Sequence, residues 1–224
     1  MCTNGIPGIL SLIRWKFIRN LMAILVIGGH SRNVGKTSVV AGLIAALPER
    51  RWTAVKITQF GHGICSVNGE SCDCATDEHT VAISEERDAG GGTDTSRFLL
   101  AGAQRSLWVR SKQGFLAEVM PSLRKRLEGE SNLIVESNSV IRFLRPDLYL
   151  SVLDYETHDF KASAREFLDR ADAILLHQSA AVPRWSDVSL KLLHGKTIFR
   201  ITPPQYVTPE IVDWVRQKIG DARI

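Results

Sequence analysis

The sequence predicts a three-layer α/β fold, in which helices cover both faces of a mostly parallel sheet and one irregular insert carries cysteines. Three observations predict it. An apolar run, a glycine-rich loop and an apolar helical run follow one another between Ala23 and Leu47. Beyond them, short apolar runs alternate with helical patterns, which implies parallel strands covered on both faces. One stretch, Gln59 to Gly92, breaks that rhythm, with no convincing strand and many Gly, Cys, Asp and Glu residues.

The first element carries the most chemistry. Ala23-Ile24-Leu25-Val26-Ile27 reads as a buried strand, and Lys36–Leu47 as a buried helix. Between them stands Gly28-Gly29-His30-Ser31-Arg32-Asn33-Val34-Gly35-Lys36-Thr37-Ser38. Strand, glycine loop, Gly-Lys-Thr and helix is the architecture of a phosphate-binding P-loop. Backbone N–H groups at the helix N-terminus attract anionic phosphate. Lys36 would reach the β- and γ-phosphates as a point charge, and Thr37 would give its hydroxyl to Mg²⁺. Gly29, Asn33, Val34, Gly35 and Ser38 complete the cradle. The spacing is one residue longer than usual: His30 stands where the pattern wants glycine, and Gly29 lies one position further back. His30 itself is either a phosphate contact or a structural histidine.

The remaining strands are expected at Thr53–Ile57, Ser106–Val109, Asn132–Val135, Leu148–Leu153, Ala173–Leu176 and Thr197–Ile201. Helices are expected at Thr95–Ala101, Phe115–Leu127, Lys161–Asp169, Val188–His194 and Pro209–Ile219, the last with Thr208 as N-cap. Ligands of such sheets bind beyond the carboxyl ends of the strands. Lys56, Glu136 and Asp154 fall at that end. Glu136 at the tip of a buried strand suits a direct or water-mediated Mg²⁺ contact. Asp94 either N-caps its helix or holds Mg²⁺ and orients water, and Arg97 would then face phosphate or substrate. His177 and Gln178 end a strand near which a nucleotide base would lie. No Asn-Lys-x-Asp guanine signature is present, so ATP and GTP both stand.

Within the insert, Cys65, Cys72 and Cys74 form Cys-x6-Cys-x-Cys, with His62 before and His79 after. Clustered thiolates suit zinc or an iron–sulfur cluster, and redox sensing without metal is the third reading. A disulfide is not expected in a cytoplasmic protein, and nothing long and apolar enough to span a bilayer points elsewhere.

Composition narrows the partners. The chain has 224 residues, 44% hydrophobic and 23% charged, ordinary for a soluble domain. Residues 1–21 carry Arg14, Lys16 and Arg19 and no acid, and without those three cations the formal charge of +4 falls to +1. The excess charge is thus a property of the tail and does not describe a nucleic-acid surface. Charges interrupt the apolar tail, which excludes stable membrane insertion and leaves at most a surface helix. Met22, directly before the first strand, reads as the native start, with 1–21 as an extension and 22–224 as one P-loop NTPase domain with insert 59–92.

The longer P-loop resembles that of dethiobiotin synthetase and the cobyrinic acid amide synthases. The wider layout is similar to the molybdopterin-guanine dinucleotide biosynthesis adaptor (MobB) family. The likeness rests on Val55-Lys56-Ile57, on Gly92-Thr93-Asp94-Thr95-Ser96-Arg97 with Ala101-Gly102-Ala103, and on Ile134-Val135-Glu136-Ser137. It implies a SIMIBI-type fold, Mg²⁺-dependent binding and slow hydrolysis of ATP or GTP, and often a homodimer. Its site roles fall on Gly35, Lys36, Thr37, Asp94 and Glu136. Ser137 in place of glycine, the longer loop and the cysteine insert depart from that pattern. The leading expectation is an NTPase assisting a cofactor or metallocentre pathway, with a protein of that pathway as partner. An ATP-dependent ligase of the dethiobiotin synthetase type, with Lys56 gripping a substrate carboxylate, is the second. A non-enzymatic, nucleotide-gated metal-binding module is the third.

Overall fold

The computed structural model describes residues 23–60 and 81–220. Eight strands form one sheet: β1 (Ala23–Gly29), β2 (Thr53–Phe60), β3 (Val81–Glu86), β4 (Arg105–Lys112), β5 (Asn132–Glu136), β6 (Leu148–Leu153), β7 (Ala173–His177) and β8 (Thr197–Ile201). Their order is β3-β4-β2-β5-β1-β6-β7-β8. All neighbours are parallel except β3 against β4.

The central strands are apolar on both sides because both faces are covered. Ile24, Val26, Leu133 and Val135 point to one face, where α3 (Leu116–Arg126) and α4 (Ala162–Phe167) supply Val119, Met120, Leu123 and Phe167. Leu25, Ile27, Ile134 and Leu150 point to the other, where α1 (Lys36–Ala46), α2 (Asp94–Leu100) and α5 (Pro209–Ile219) supply Val40, Leu43, Phe98, Ile211 and Val215. Two cores around one sheet make the three layers expected. Thr208 caps α5 as its sequence suggests, accepting from the Ile211 N–H at 3.4 Å.

Three sequence expectations are corrected. The stretch beginning at Gln59 is not wholly irregular: β2 continues to Phe60, and β3 runs through Val81–Glu86. Antiparallel pairing with β4 stabilises β3, a long-range partner that its short, partly polar run does not announce. The helix expected at Val188–His194 shrinks to a 3₁₀ turn at Leu190–Leu193. The cap of α2 is Thr93, not Asp94. Its side chain accepts from the Ser96 N–H at 3.0 Å, which leaves the Asp94 carboxylate outside the cap. Cys65, Cys72 and Cys74, with His62 and His79, lie outside the described residues, as do residues 1–22.

Candidate functional site

β1 ends in two glycines because a neighbour fills the space beside them. A Cβ on Gly28 would fall 2.1 Å from Asn138 Oδ1 and 2.6 Å from the Tyr149 hydroxyl. Asn138 Oδ1 accepts from the Gly29 N–H and its Nδ2 donates to the Gly29 carbonyl, each at 2.9 Å. The Tyr149 hydroxyl donates to the same Oδ1 at 3.2 Å. This buried amide, directly after β5, clamps the root of the loop.

The loop then turns through residues with left-handed backbone, Asn33 at φ 56° and Gly35 at φ 90°. Asparagine tolerates that region better than most side chains, and glycine adopts it freely. At Gly35 there is a second reason: a Cβ would lie 2.0 Å from Tyr206 Cε1. Gly35 also stands at the start of α1, whose first internal hydrogen bond runs from the Val39 N–H to the Gly35 carbonyl at 2.9 Å. The N–H groups of Lys36, Thr37 and Ser38 precede that bond, so they form an anion-binding helix start.

Other elements brace the loop. His177, on β7, donates from Nε2 to the Val34 carbonyl at 3.0 Å, and Tyr206 packs edge-on against it at 5.7 Å. His177 thus braces the loop. Ser31 Oγ donates to Asp159 at 2.7 Å, and the Lys161 N–H donates to the His30 carbonyl at 2.8 Å. His30 is fully buried between Phe160 and Trp185, with ring centroids at 5.2 and 4.9 Å. Burial pushes its pKa down, and it is a core residue rather than a phosphate contact. Asp154 is likewise engaged, accepting from Thr157 Oγ1 in its own turn at 3.1 Å and from Ser179 Oγ after β7 at 2.6 Å.

The predicted charged residues meet where β5 ends, with Lys56 in mid-β2 beside Glu136 rather than at the end of its strand. Lys36 Nζ donates to the Ser31 carbonyl at 2.6 Å, and burial holds its pKa below the ordinary lysine value. Thr37 Oγ1 donates to Glu136 Oε2 at 2.8 Å. Lys56 pairs with Glu136 Oε1 at 3.1 Å and with Asp94 Oδ2. Burial acts to lower the Lys56 pKa, but the two carboxylates outweigh it and hold the group above its ordinary value. Arg97 lies 3.7 Å from Asp94 Oδ1 and donates to Ser38 Oγ at 3.1 Å. Val34 contributes only its backbone, because its side chain sits in the core. Gly29 contributes to the clamp through both its N–H and its carbonyl.

Lys161 joins these residues without having been foreseen. Burial, then the nearby cations Lys36 and Arg32, push its pKa down to about 8. Asn138, Tyr206 and Lys161 were missed for one reason. Each lies far along the chain from the loop and carries no motif, and only the strand order brings it there.

Among the described residues, no group of three or more His, Cys, Asp or Glu is placed to hold a metal ion. The Thr37 hydroxyl and Glu136 Oε2, 2.8 Å apart, are nevertheless the hard oxygen donors that Mg²⁺ takes when phosphate oxygens and water complete its shell.

A parallel sheet flanked by helices, with a glycine loop between β1 and α1 and an acid at the end of β5, defines the three-layer P-loop NTPase architecture. No protein-family model matches the chain, and no curated protein matches it. Among solved structures, HypB from Helicobacter pylori in complex with nickel is similar over 92% of this chain and 89% of its own, at 12% identity and a TM-score of 0.47. LpxK from Aquifex aeolicus in complex with ATP is similar over 85% of this chain and 60% of its own, at 16% identity and a TM-score of 0.46. Among the described residues, no helix is long and apolar enough to cross a membrane.

Proposed function

We propose that this chain binds ATP or GTP with Mg²⁺ at the loop of residues 29–38 and passes the γ-phosphoryl group to an acceptor oxygen. One observation carries the reading: Asp94, Lys56, Glu136 and Thr37 form a continuous chain of polar contacts beside the start of α1. Phosphoryl transfer needs positioning and charge neutralisation more than covalent chemistry, and these residues supply both. Lys36 leaves the Ser31 carbonyl and neutralises the β- and γ-phosphates. Thr37 and Glu136 would hold Mg²⁺, which supplies further neutralisation of the phosphate charge. Asp94 orients the attacking oxygen and takes its proton as the bond from γ-phosphorus to the bridging oxygen breaks. The nucleoside diphosphate leaves with that electron pair. Lys56 stands between the two carboxylates and bridges them.

The test is nucleotide titration by calorimetry with Mg²⁺ present. Lys36→Ala should abolish binding, whereas Asp94→Asn should keep affinity within a few-fold and lower turnover by about 10²-fold or more. Full affinity in Lys36→Ala would refute the assignment. With water as acceptor the protein is an NTPase, and with a second small substrate it is a kinase or ligase. Turnover that requires the second substrate separates the two.

We carry with this reading a role in cofactor or metallocentre assembly, through thiolate ligation at Cys65, Cys72 and Cys74. Stoichiometric zinc or an iron–sulfur spectrum, lost in Cys72→Ser, is the expected result. Metal-free protein from anaerobic purification would remove that role while leaving nucleotide binding untouched.

A further inference from the structure

The face of the sheet that carries Lys56 continues past it with an unusual lining. In the β2–β4 register Lys56 stands beside Trp108 and Thr58 beside Arg110. In the β3–β4 register Ser84 stands beside Trp108 and Ala82 beside Arg110. Strand alternation therefore puts Lys56, Thr58, Trp108, Arg110 and Ser84 on one face. Ile57, Leu107 and Val109 point the other way, into the core under α3.

These side chains are organised. Trp108 Nε1 donates to Thr58 Oγ1 at 3.1 Å, which fixes the indole. The Arg110 guanidinium lies over that indole, 4.7 Å from the ring centroid. One terminal nitrogen donates to Ser84 Oγ at 3.3 Å, while the buried Nε has no partner. Among the described residues no carboxylate pairs with Arg110, whereas Arg97, Arg105, Arg142 and Arg165 each have one. A half-buried guanidinium held flat on an aromatic ring, with donors unspent, is prepared for a carboxylate or phosphate. The place suits a ligand as well. Arg110 is one strand over and two residues beyond Lys56, about 8 Å between Cα atoms from strand geometry. Arg110 lies toward the carboxyl end of β4, and Lys56 stands level with the last residue of β5, the edge of an open α/β sheet at which ligands bind.

We propose that Trp108 and Arg110 form the binding site of a second, small substrate. That molecule carries a carboxylate or phosphate group for Arg110 and a flat or apolar stretch for Trp108, and it presents an oxygen toward Lys56 and Asp94. The proposal rests on the phosphoryl-transfer reading for the acceptor role, but not for the binding itself.

The test uses the full chain labelled with ¹⁵N, observed through its indole N–H signals. The Trp108 signal is assigned by its loss in Trp108→Phe. Phenyl phosphate and benzoate serve as separate probes for the two anion types. A saturable shift of the Trp108 signal by at least one probe is expected. Arg110→Gln should weaken that binding tenfold or more with the other indole signals unmoved, and Arg110→Lys should fall between. The same shift should persist in Lys36→Ala, which rules out binding of the probe at the P-loop. No saturable shift with either probe, or unchanged affinity in Arg110→Gln, overturns the site. Mg-nucleotide titration of the same samples reports separately on the P-loop. Loss of nucleotide binding in the wild type would sink the transfer reading while leaving the anion site standing.

Discussion

Replacing Asn138 with alanine isolates the clamp at the root of the phosphate loop. The side chain makes three hydrogen bonds: two with the Gly29 backbone at 2.9 Å and one from Tyr149 at 3.2 Å. It is 8% exposed, so water does not readily replace it. Asn138→Ala leaves a buried N–H, a buried carbonyl and a buried hydroxyl unpaired. Each orphan costs about 1–3 kcal/mol, and because the three share one partner the sum is not additive. A loss of about 3 kcal/mol is expected, which at 2–4 °C per kcal/mol for a domain of this size lowers Tm by roughly 6–12 °C. Urea denaturation and thermal melting measure it directly. Tyr149→Phe removes only the weakest of the three bonds and should cost about 1 kcal/mol. Asn138→Asp keeps the acceptor for the Gly29 N–H but turns its carbonyl contact repulsive, so it should not rescue the alanine variant. A loss below about 1 kcal/mol in Asn138→Ala would mean that the loop root is held by something other than this amide.

Other expectations follow from single contacts. Gly35→Ala meets both a positive φ of 90° and the Tyr206 ring, so it should lose nucleotide binding even if the domain folds; calorimetry on folded protein checks this. Thr93→Ala removes the α2 cap at a cost of about 1 kcal/mol and should lower turnover further, because it loosens the helix start that aims Asp94. Lys161 gives a pH signature. Its folded pKa is about 8 against an ordinary 10.5, so between those values the unfolded chain binds the extra proton and stability rises with pH. Lys161→Gln should therefore be more stable than wild type at pH 7, with the gap narrowing as pH rises from 8 toward 10.5 in urea titrations. A gap independent of pH would show that Lys161 is not desolvated.

What could be read from the sequence was whatever local pattern encodes. The loop between Ile27 and Lys36 was legible because strand, glycines and Gly-Lys-Thr are contiguous. Glu136 was legible because it ends an apolar run, which places it at one edge of a parallel sheet, and Lys56 because it interrupts an apolar run that pairs with that strand. Asp94 stood open between a cap and a metal or water role, and the backbone geometry gives the cap to Thr93, an equally good cap residue. β3 was not legible, because an edge strand of six partly polar residues is stabilised by its neighbour rather than by its own periodicity. Asn138 carries no motif, and only the side-by-side placement of β1 and β5 brings it to Gly29.

The bracing of the phosphate loop by His177 and Tyr206 bears on how the molecule matures. The loop leaves the ribosome early, yet two of its supports are encoded near the far end of the described chain. Contacts so distant in sequence form slowly and late. A chain arrested after β6 would carry every residue of the Gly-Lys-Thr motif and still lack the walls that shape it. Competence to bind nucleotide would thus arrive with the docking of β7 and the segment before α5, as a closing event of folding rather than an early one.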